Sequence, residues 1–184
     1  MLQFRIQSTP NPFARKYIVS AELKREGKVS YKDPEDCRHV PLAVALLSIP
    51  AVSQVHFFEN VVTITQDGTM DWARVDHAVQ AILNEKINAH DPDFIESLEI
   101  SQEEKRAMMT PEMQRIDEIL DHTIRPALQA DGGDLELIDY DGLVLSVRYM
   151  GACGDCPSSM MGTLAAITGV LQDQFRPDIE VVVI

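Results

Sequence analysis

Residues 131–164 read DGGDLELIDYDGLVLSVRYMGACGDCPSSMMGTL, and they indicate the fold of the second half of the chain. Two β-rich runs, residues 134–140 and 143–149, flank Asp141-Gly142, a dipeptide typical of tight hairpins. A loop, GACGDC, follows, and Pro157 then favours the first turn of a helix. The stretch therefore predicts a β-hairpin, a cysteine-bearing loop and a helix, in that order.

A helix is predicted before the hairpin and a strand after the last helix. Thr110 is a suitable N-cap for a helix with Pro111 in its first position, and Gly132-Gly133 ends it. Apolar residues recur at helical spacing: Met113, Ile116, Ile119, Leu120, Ile124 and Leu128. With the closing strand IEVVVI, residues 111–184 are predicted to form an α-β-β-α-β domain.

Residues 1–90 predict a second small α/β domain with mostly antiparallel strands. Short β-rich runs occur at 3–7, 16–20, 28–32, 52–58 and 61–66. Residues 38–48 have helical composition, and Asp71 can cap a later helix. Residues 91–110 carry six acidic and two basic side chains without a sustained period, which indicates a linker. The predicted fold class is α+β, two small α/β domains joined by an acidic linker.

The charge of the chain is uneven along its length. The formal net charge is −13, and residues 1–90 carry ten basic and ten acidic side chains, so the excess lies entirely in residues 91–184. Phosphate repulsion and the lack of a basic stripe argue against nucleic acid as a partner. An acidic face suits solubility, or docking of basic partner proteins.

Apolar segments and the first residues bear on whether the chain spans a membrane and where in the cell it is located. No apolar run approaches the roughly 18 residues of a membrane span, which argues against a membrane protein. The opening MLQFRIQSTPNP has neither a signal-peptide pattern nor an Arg/Ser-rich amphipathic stretch. On that ground a bacterial cytoplasm is expected.

Cys153 and Cys156 form a C-x-x-C pair between a strand and a helix. Gly151 and Gly154 let the backbone bend so that both sulfurs can face one point. The positive end of the following helix favours a thiolate, which binds metals and attacks disulfides. The pattern alone leaves open a metal or cluster site, a dithiol/disulfide redox pair, and two buried structural thiols.

The pair supplies only two ligands, while zinc or a [4Fe–4S] cluster usually takes four. Cys37 and the five histidines show no useful spacing to the pair. Two such loops meeting across a two-fold axis would give four thiolates. A shared cluster or a zinc-bridged dimer would both satisfy this count, and dimerisation would then be linked to metal binding.

Other prominent residues have structural interpretations beside functional ones. The Asp131-Gly132-Gly133-Asp134 run could shape a pocket, but a helix end and strand start is favoured. Met160 and Met161 could line a dimer seam or pack in the core. Trp72 is interpreted as a packing residue, and the TPNP loop (residues 9–12) as a structural turn rather than a docking site.

The run from LQADGGDLELID through GACGDCPSSMMGTL to the final strand resembles the NifU C-terminal-like domain of the Nfu family. The opening FRIQSTPNPFARKYIV, with the later VVTIT and Asp71-Trp72, resembles the Nfu N-terminal domain. The two resemblances together cover nearly the whole chain.

The resemblance implies a carrier or late-acting scaffold of iron–sulfur cluster assembly, not an enzyme. It implies a [4Fe–4S] cluster bound between two subunits, with Cys153 and Cys156 as ligands and with [2Fe–2S] as a further cluster type. Apo iron–sulfur client proteins and an upstream assembly scaffold are the implied partners, and a homodimer forms on cluster binding. A dithiol/disulfide oxidoreductase using the same two cysteines is the competing function.

Overall fold

The structure is a computed structural model that describes residues 3–94, 107–153 and 157–184; of residues 157–161 it describes the backbone only. Residues 95–106, most of the predicted linker, lie outside the described part. No helix within the described ranges combines the length and the apolarity needed to cross a membrane. We refer to residues 3–94 as the N-terminal unit and to the described residues from 107 onward as the C-terminal unit.

The N-terminal unit is a five-stranded sheet with two helices on one face. Its strands are all antiparallel, where mostly antiparallel neighbours were predicted, and their order is β1-β2-β5-β4-β3. A short 3-10 turn follows the second helix. The elements are β1 (Phe4–Ser8), β2 (Ala14–Val19), β3 (Lys24–Tyr31), α1 (Pro41–Leu47), β4 (Val52–Glu59), β5 (Val61–Gln66) and α2 (Trp72–Lys86).

Side chains alternate along these strands, so the sheet has an apolar and a polar face. The apolar face packs against α1 and α2 and forms the core of the unit. The register places His56 opposite both Ser30 and Thr63, and Gln54 opposite Thr65, on the other face. That second face is polar yet buried, which the fold of this unit alone does not explain.

The C-terminal unit has a three-stranded sheet covered by helices. Strand β6 pairs antiparallel with β7, and β7 pairs parallel with β8. The predicted α+β class and the order of elements are confirmed, apart from one divided helix. The elements are α3 (Pro111–Thr123), α4 (Arg125–Ala130), β6 (Gly133–Tyr140), β7 (Val144–Gly151), α5 (Pro157–Gln174) and β8 (Glu180–Val183).

The sequence predicted one helix up to Gly132, and the structure divides it at Ile124. Pro126 lies in the first turn of α4, where it lacks the N–H that a continuous helix would need. The predicted start is confirmed, because the Thr110 hydroxyl accepts a 3.2 Å bond from the Met113 N–H. Asp71 likewise caps α2, accepting a 3.1 Å bond from the Arg74 N–H.

Candidate functional site

Cys153 lies directly after β7, at the end of the β6–β7 hairpin. Its sulfur is a thiol, and the side chain is only 6% exposed, packed in the hydrophobic core of the C-terminal unit. Cys156, the second residue of the predicted pair, falls in residues 154–156 and lies outside the described residues. The backbone of α5 begins at Pro157, as predicted.

Two glycines make room for the Cys153 thiol. Gly133 and Gly151 are paired in the register of β6 and β7. A Cβ on Gly133 would lie 2.4 Å from the Cys153 Sγ, closer than a real side-chain contact allows. Gly151 has φ +61°, and a Cβ there would lie 2.5 Å from the Gly132 carbonyl oxygen. Glycine is therefore required at both positions if the thiol is to stay where it is.

The Asp131–Asp134 run has the structural role predicted for it, and also borders the site. Asp131 is the C-cap residue of α4, and β6 starts at Gly133. Asp134 is fully buried and accepts a 2.9 Å hydrogen bond from the Gln129 amide. One run thus ends a helix, begins a strand and shapes the space around Cys153.

Tyr149 adds a buried phenol close to Cys153. Its hydroxyl oxygen has no hydrogen-bond partner among the described residues. Burial, reinforced by the charge of Cys153, raises the pKa of Tyr149 to about 12. The phenol is therefore protonated at neutral pH. The Cys153 thiol lies against Gly133, which we call the glycine wall, and near this neutral O–H donor. Such a setting fits a thiolate-ligated cluster, whose sulfurs accept hydrogen bonds of this kind.

The described ranges contain no group of three or more His, Cys, Asp and Glu side chains able to hold a metal ion. His56 nevertheless comes near the cysteine loop, since its Cδ2 lies 3.1 Å from where a Cβ on Gly151 would be. Its Nδ1 is 2.8 Å from the Ser30 hydroxyl, while Nε2 has no partner among the described residues. Burial, aided by the charge of Lys28, lowers the pKa of His56 to about 4, so the ring is neutral.

Cys37, the third cysteine, lies in the core of the N-terminal unit. It is fully buried, and its sulfur is 3.6 Å from the Pro34 carbonyl oxygen. Burial raises the pKa of the Cys37 thiol to about 11, so it is protonated at neutral pH. This environment agrees with the expectation that Cys37 is not a ligand, which stays a prediction.

The TPNP loop is a turn, and it also contacts the cysteine loop. Within the turn, the Asn11 side-chain oxygen accepts a 2.9 Å bond from the Phe13 N–H. The amide end of the same side chain donates a 3.0 Å bond to the carbonyl of Ala152, the residue before Cys153. Trp72 packs beside the turn and donates a 3.1 Å bond to the Pro12 carbonyl.

Two lysines of the N-terminal sheet reach the C-terminal unit. Lys16 donates to the Ala130 carbonyl, at the end of α4. Lys28 forms an ion pair with Asp134 and donates a 3.0 Å bond to the Leu135 carbonyl. Burial lowers the pKa of the Lys28 ammonium, and Asp134 opposes that shift.

Asp134 joins Lys28 to a buried ion cluster in the C-terminal unit. Arg125, which is 6% exposed, pairs with Asp117 at 2.6 Å and with Asp121, and lies 3.5 Å from Asp134. Burial opposes the charge of the guanidinium, but the carboxylates of Asp117 and Asp121 keep the pKa of Arg125 above its usual value. The cluster fixes α3, α4 and the start of β6 relative to one another.

The sequence interpretation missed Asn11, Lys16, Lys28 and His56 as neighbours of the cysteine loop. Lys28 and His56 lie on the polar face of the N-terminal sheet. The alternation of β-branched and polar residues in β4 and β5 was a usable signal that this face is not core. Nothing in the local sequence indicated what would cover it.

Comparison with known proteins identifies relatives over nearly the full chain. The chain is 29% identical over 186 residues to a Drosophila willistoni protein named "NFU1 iron-sulfur cluster scaffold homolog, mitochondrial", covering 95% of this chain and 60% of that protein. It is 28% identical over 174 residues to "NifU-like protein 4, mitochondrial" of Arabidopsis thaliana, covering 90% of this chain and 60% of that protein. The chain thus spans about 60% of the length of these relatives.

One solved structure, a NifU-like protein from Saccharomyces cerevisiae, superposes on part of the chain. The TM-score is 0.45 at 19% identity, covering 54% of this chain and 87% of that one. A likeness at that level says nothing about function.

The expectation of a bacterial cytoplasm is wrong. It rested on the residues at the start of the chain, whereas both relatives named above are mitochondrial proteins of eukaryotes. The start of this chain is therefore no argument for its location.

Two family models match in tandem. "Scaffold protein Nfu/NifU N terminal" matches residues 4–90, and "NifU-like domain" matches residues 116–182. The first match covers the sheet and helices of the N-terminal unit, and the second covers the hairpin, Cys153 and the final strand. The chain therefore belongs to the Nfu family.

Proposed function

We propose that this chain is a scaffold and carrier of iron–sulfur clusters rather than an enzyme. Its cargo is a [4Fe–4S] cluster, bound between two subunits by Cys153 and Cys156 of each chain and delivered to apo-proteins. The observation that carries the proposal is the placement of Cys153, a thiol at the end of β7 against the glycine wall of Gly133.

The chemistry of the loop supports thiolate ligation. The helix that begins at Pro157 directs its free N–H groups and positive end toward the preceding loop, which favours the deprotonated thiol. Iron of such clusters is held by cysteine thiolates. The Tyr149 hydroxyl, protonated and buried, is a donor that a cluster sulfur could accept from.

The number of ligands supports sharing between two chains. A C-x-x-C pair provides two thiolates, and the described residues of one chain contain no group of three potential ligands. Two chains related by a two-fold axis would together provide four. A cluster at such a seam has few bonds to each chain, which suits release more than storage.

The relatives and the charge of the chain support a role in delivery. Relatives at 28–29% identity are named as a scaffold homolog and as a NifU-like protein. On this proposal, an upstream assembly scaffold loads the chain and apo iron–sulfur proteins receive the cluster. The net charge of −13, concentrated after residue 90, offers an acidic surface to basic clients.

Anaerobic reconstitution with ferrous iron and sulfide tests the proposal. The native chain should take up about four irons per two chains, as expected for one shared [4Fe–4S] cluster. Cys153→Ser and Cys156→Ser should each abolish uptake, while Cys37→Ser should leave it intact. About two irons per two chains would indicate [2Fe–2S] instead.

Two results would contradict the proposal. Loss of uptake in Cys37→Ser, with retention in Cys153→Ser, would move the site to the N-terminal unit. A stable Cys153–Cys156 disulfide with turnover of a thiol–disulfide substrate, and no iron uptake, would favour the oxidoreductase.

A further inference from the structure

The polar face of the N-terminal sheet is buried, although its residues are of types usually found on a solvent-exposed surface. We define this polar face by Lys28, Ser30, Gln54, His56, Thr63 and Thr65. Gln54, His56, Thr63 and Thr65 are each at most 2% exposed. The opposite face of the same strands forms the core of the unit, so another part of the chain covers this one.

The segment that covers His56 and Thr63 is the end of the C-terminal unit that carries the cysteine loop. We call residues 132–133 and 151–153 the cysteine end. A Cβ on Gly132 would lie 3.0 Å from the Thr63 hydroxyl, and one on Gly151 would lie 3.1 Å from the His56 ring. The polar face therefore lies directly against the backbone that positions Cys153.

Specific hydrogen bonds hold the two surfaces together at their margins. Asn11 binds the Ala152 carbonyl at 3.0 Å, one residue before Cys153. On the other side, Lys28 binds the Leu135 carbonyl at 3.0 Å and pairs with the fully buried Asp134. These contacts give the docked arrangement a defined register.

Several buried polar atoms in the contact lack a hydrogen-bond partner among the described residues. Gln54 Oε1, His56 Nε2, Thr63 Oγ1 and Thr65 Oγ1 are buried without a hydrogen-bond partner among the described residues. An open cleft of about 750 Å³ remains between the units beside Lys28. Permanent interfaces are apolar and closely packed, and each unsatisfied buried group opposes docking. These features are typical of a reversible contact, from which the cysteine end can separate.

We propose that the polar face is a docking surface for the cysteine end of the same chain, which covers the backbone next to Cys153 in the apo monomer and releases the cysteine loop for sharing between two chains. The proposal rests on the proposed function, because a bridging cluster needs thiols that a second chain can approach. The Cys153 side chain packs in the core of the C-terminal unit, and docking covers the backbone of Gly151 and Ala152 that leads to it. When the cysteine end leaves the polar face, Asn11 and that face no longer cover the backbone next to Cys153.

The test measures alkylation of each cysteine in the full apo chain by a maleimide, with peptides quantified by mass spectrometry. Asn11→Asp keeps the acceptor for the Phe13 N–H but replaces the donor to Ala152 with a second acceptor. Cys153 alkylation should rise about tenfold or more, the factor expected when a buried hydrogen bond is replaced by repulsion. Lys28→Met, which leaves Asp134 without its partner across the contact, should act in the same direction.

Asn60→Asp is the matched control. Asn60 donates a 3.0 Å bond to the Val19 carbonyl inside the N-terminal unit, so the same chemical change leaves the docking contact untouched. Cys37, buried in the core of that unit, reports unfolding within the same sample. The proposal expects faster Cys153 labelling in Asn11→Asp and Lys28→Met, unchanged Cys37 labelling, and no effect of Asn60→Asp on Cys153.

Two outcomes would overturn the docking proposal. Cys153 rates in Asn11→Asp and Lys28→Met within about twofold of the Asn60→Asp rate would mean that docking does not control access to the thiol. A parallel rise of Cys37 labelling in both variants would mean that the thiol is reached only through unfolding. Because the assay uses no cluster, failure of cluster uptake in the native chain would refute the proposed function without changing the labelling result.

Discussion

The side-chain amide of Asn11 donates a 3.0 Å hydrogen bond to the carbonyl of Ala152, across 141 positions of sequence. Asn11 is 2% exposed, so water does not compete for this bond. It joins the TPNP turn to the residue before the candidate ligand Cys153. The N-terminal unit therefore contacts the site directly, in addition to any role in recognising partners.

Gly133→Ala tests the glycine wall. The new Cβ would lie 2.4 Å from the Cys153 Sγ and 2.9 Å from the Met150 carbonyl oxygen, so the loop must shift. We expect a loss of about 1–3 kcal/mol in the free energy of unfolding, typical of overpacking, and reduced iron uptake. Urea denaturation and iron analysis measure the two effects.

Gly169→Ala is the control for that substitution. Gly169 lies on the exposed side of α5, and a Cβ there meets nothing within 4 Å. Helix propensity alone should raise the free energy of unfolding by about 0.5–1 kcal/mol, with normal iron uptake. If Gly133→Ala behaved like Gly169→Ala, the glycine wall would have no role.

Arg125→Met tests the buried ion cluster. The substitution leaves Asp117 and Asp134, both at most 5% exposed, without the guanidinium that neutralises them. Breaking a buried ion pair on one side should lower the free energy of unfolding by about 3–5 kcal/mol. Arg115→Met, at an exposed position of α3, should change it by less than about 0.5 kcal/mol. Equal effects in the two variants would contradict a structural role for the cluster.

The buried His56 ring should make the free energy of unfolding fall in acid. Its pKa is lowered from 6.5 to about 4 by burial and the charge of Lys28, while Asp134 acts in the opposite direction. The unfolded chain binds this proton below pH 6.5 and the folded chain only near pH 4. Stability is therefore full above pH 6.5 and falls between 6.5 and 4, by roughly 3 kcal/mol at the lower end.

His56→Gln separates this effect from the titration of carboxylates. Denaturation can be followed by the fluorescence of Trp72, the single tryptophan of the chain. The difference between the native chain and His56→Gln should shrink or reverse as the pH falls from 7.5 to 4.5. A difference independent of pH over that range would mean that His56 is not held neutral by burial.

The elements of both units followed from local patterns, while the contact between the units did not. Alternating β residues and the Asp141-Gly142 turn predicted the hairpin, because strand pairing there is local. The helix predicted before it is divided at Ile124, because Pro126 lacks the N–H that a continuous helix needs. The bond from Asn11 to Ala152 joins residues that only the tertiary fold brings together, so no local pattern contained it.

The sequence also indicated a candidate ligand more readily than the surroundings of that residue. Spacing and turn residues were sufficient to single out Cys153. The burial of Cys153, the space left by Gly133 and the orphaned Tyr149 hydroxyl depend on packing in three dimensions.

Native mass spectrometry of the anaerobically reconstituted protein counts the chains and the irons in each cluster-bearing species. A cluster shared through Cys153 and Cys156 should give a species of two chains with four irons and four sulfides, absent from Cys153→Ser and Cys156→Ser and present in Cys37→Ser. A single chain carrying a complete [4Fe–4S] cluster, or a two-chain species that keeps its irons in Cys153→Ser, would contradict it.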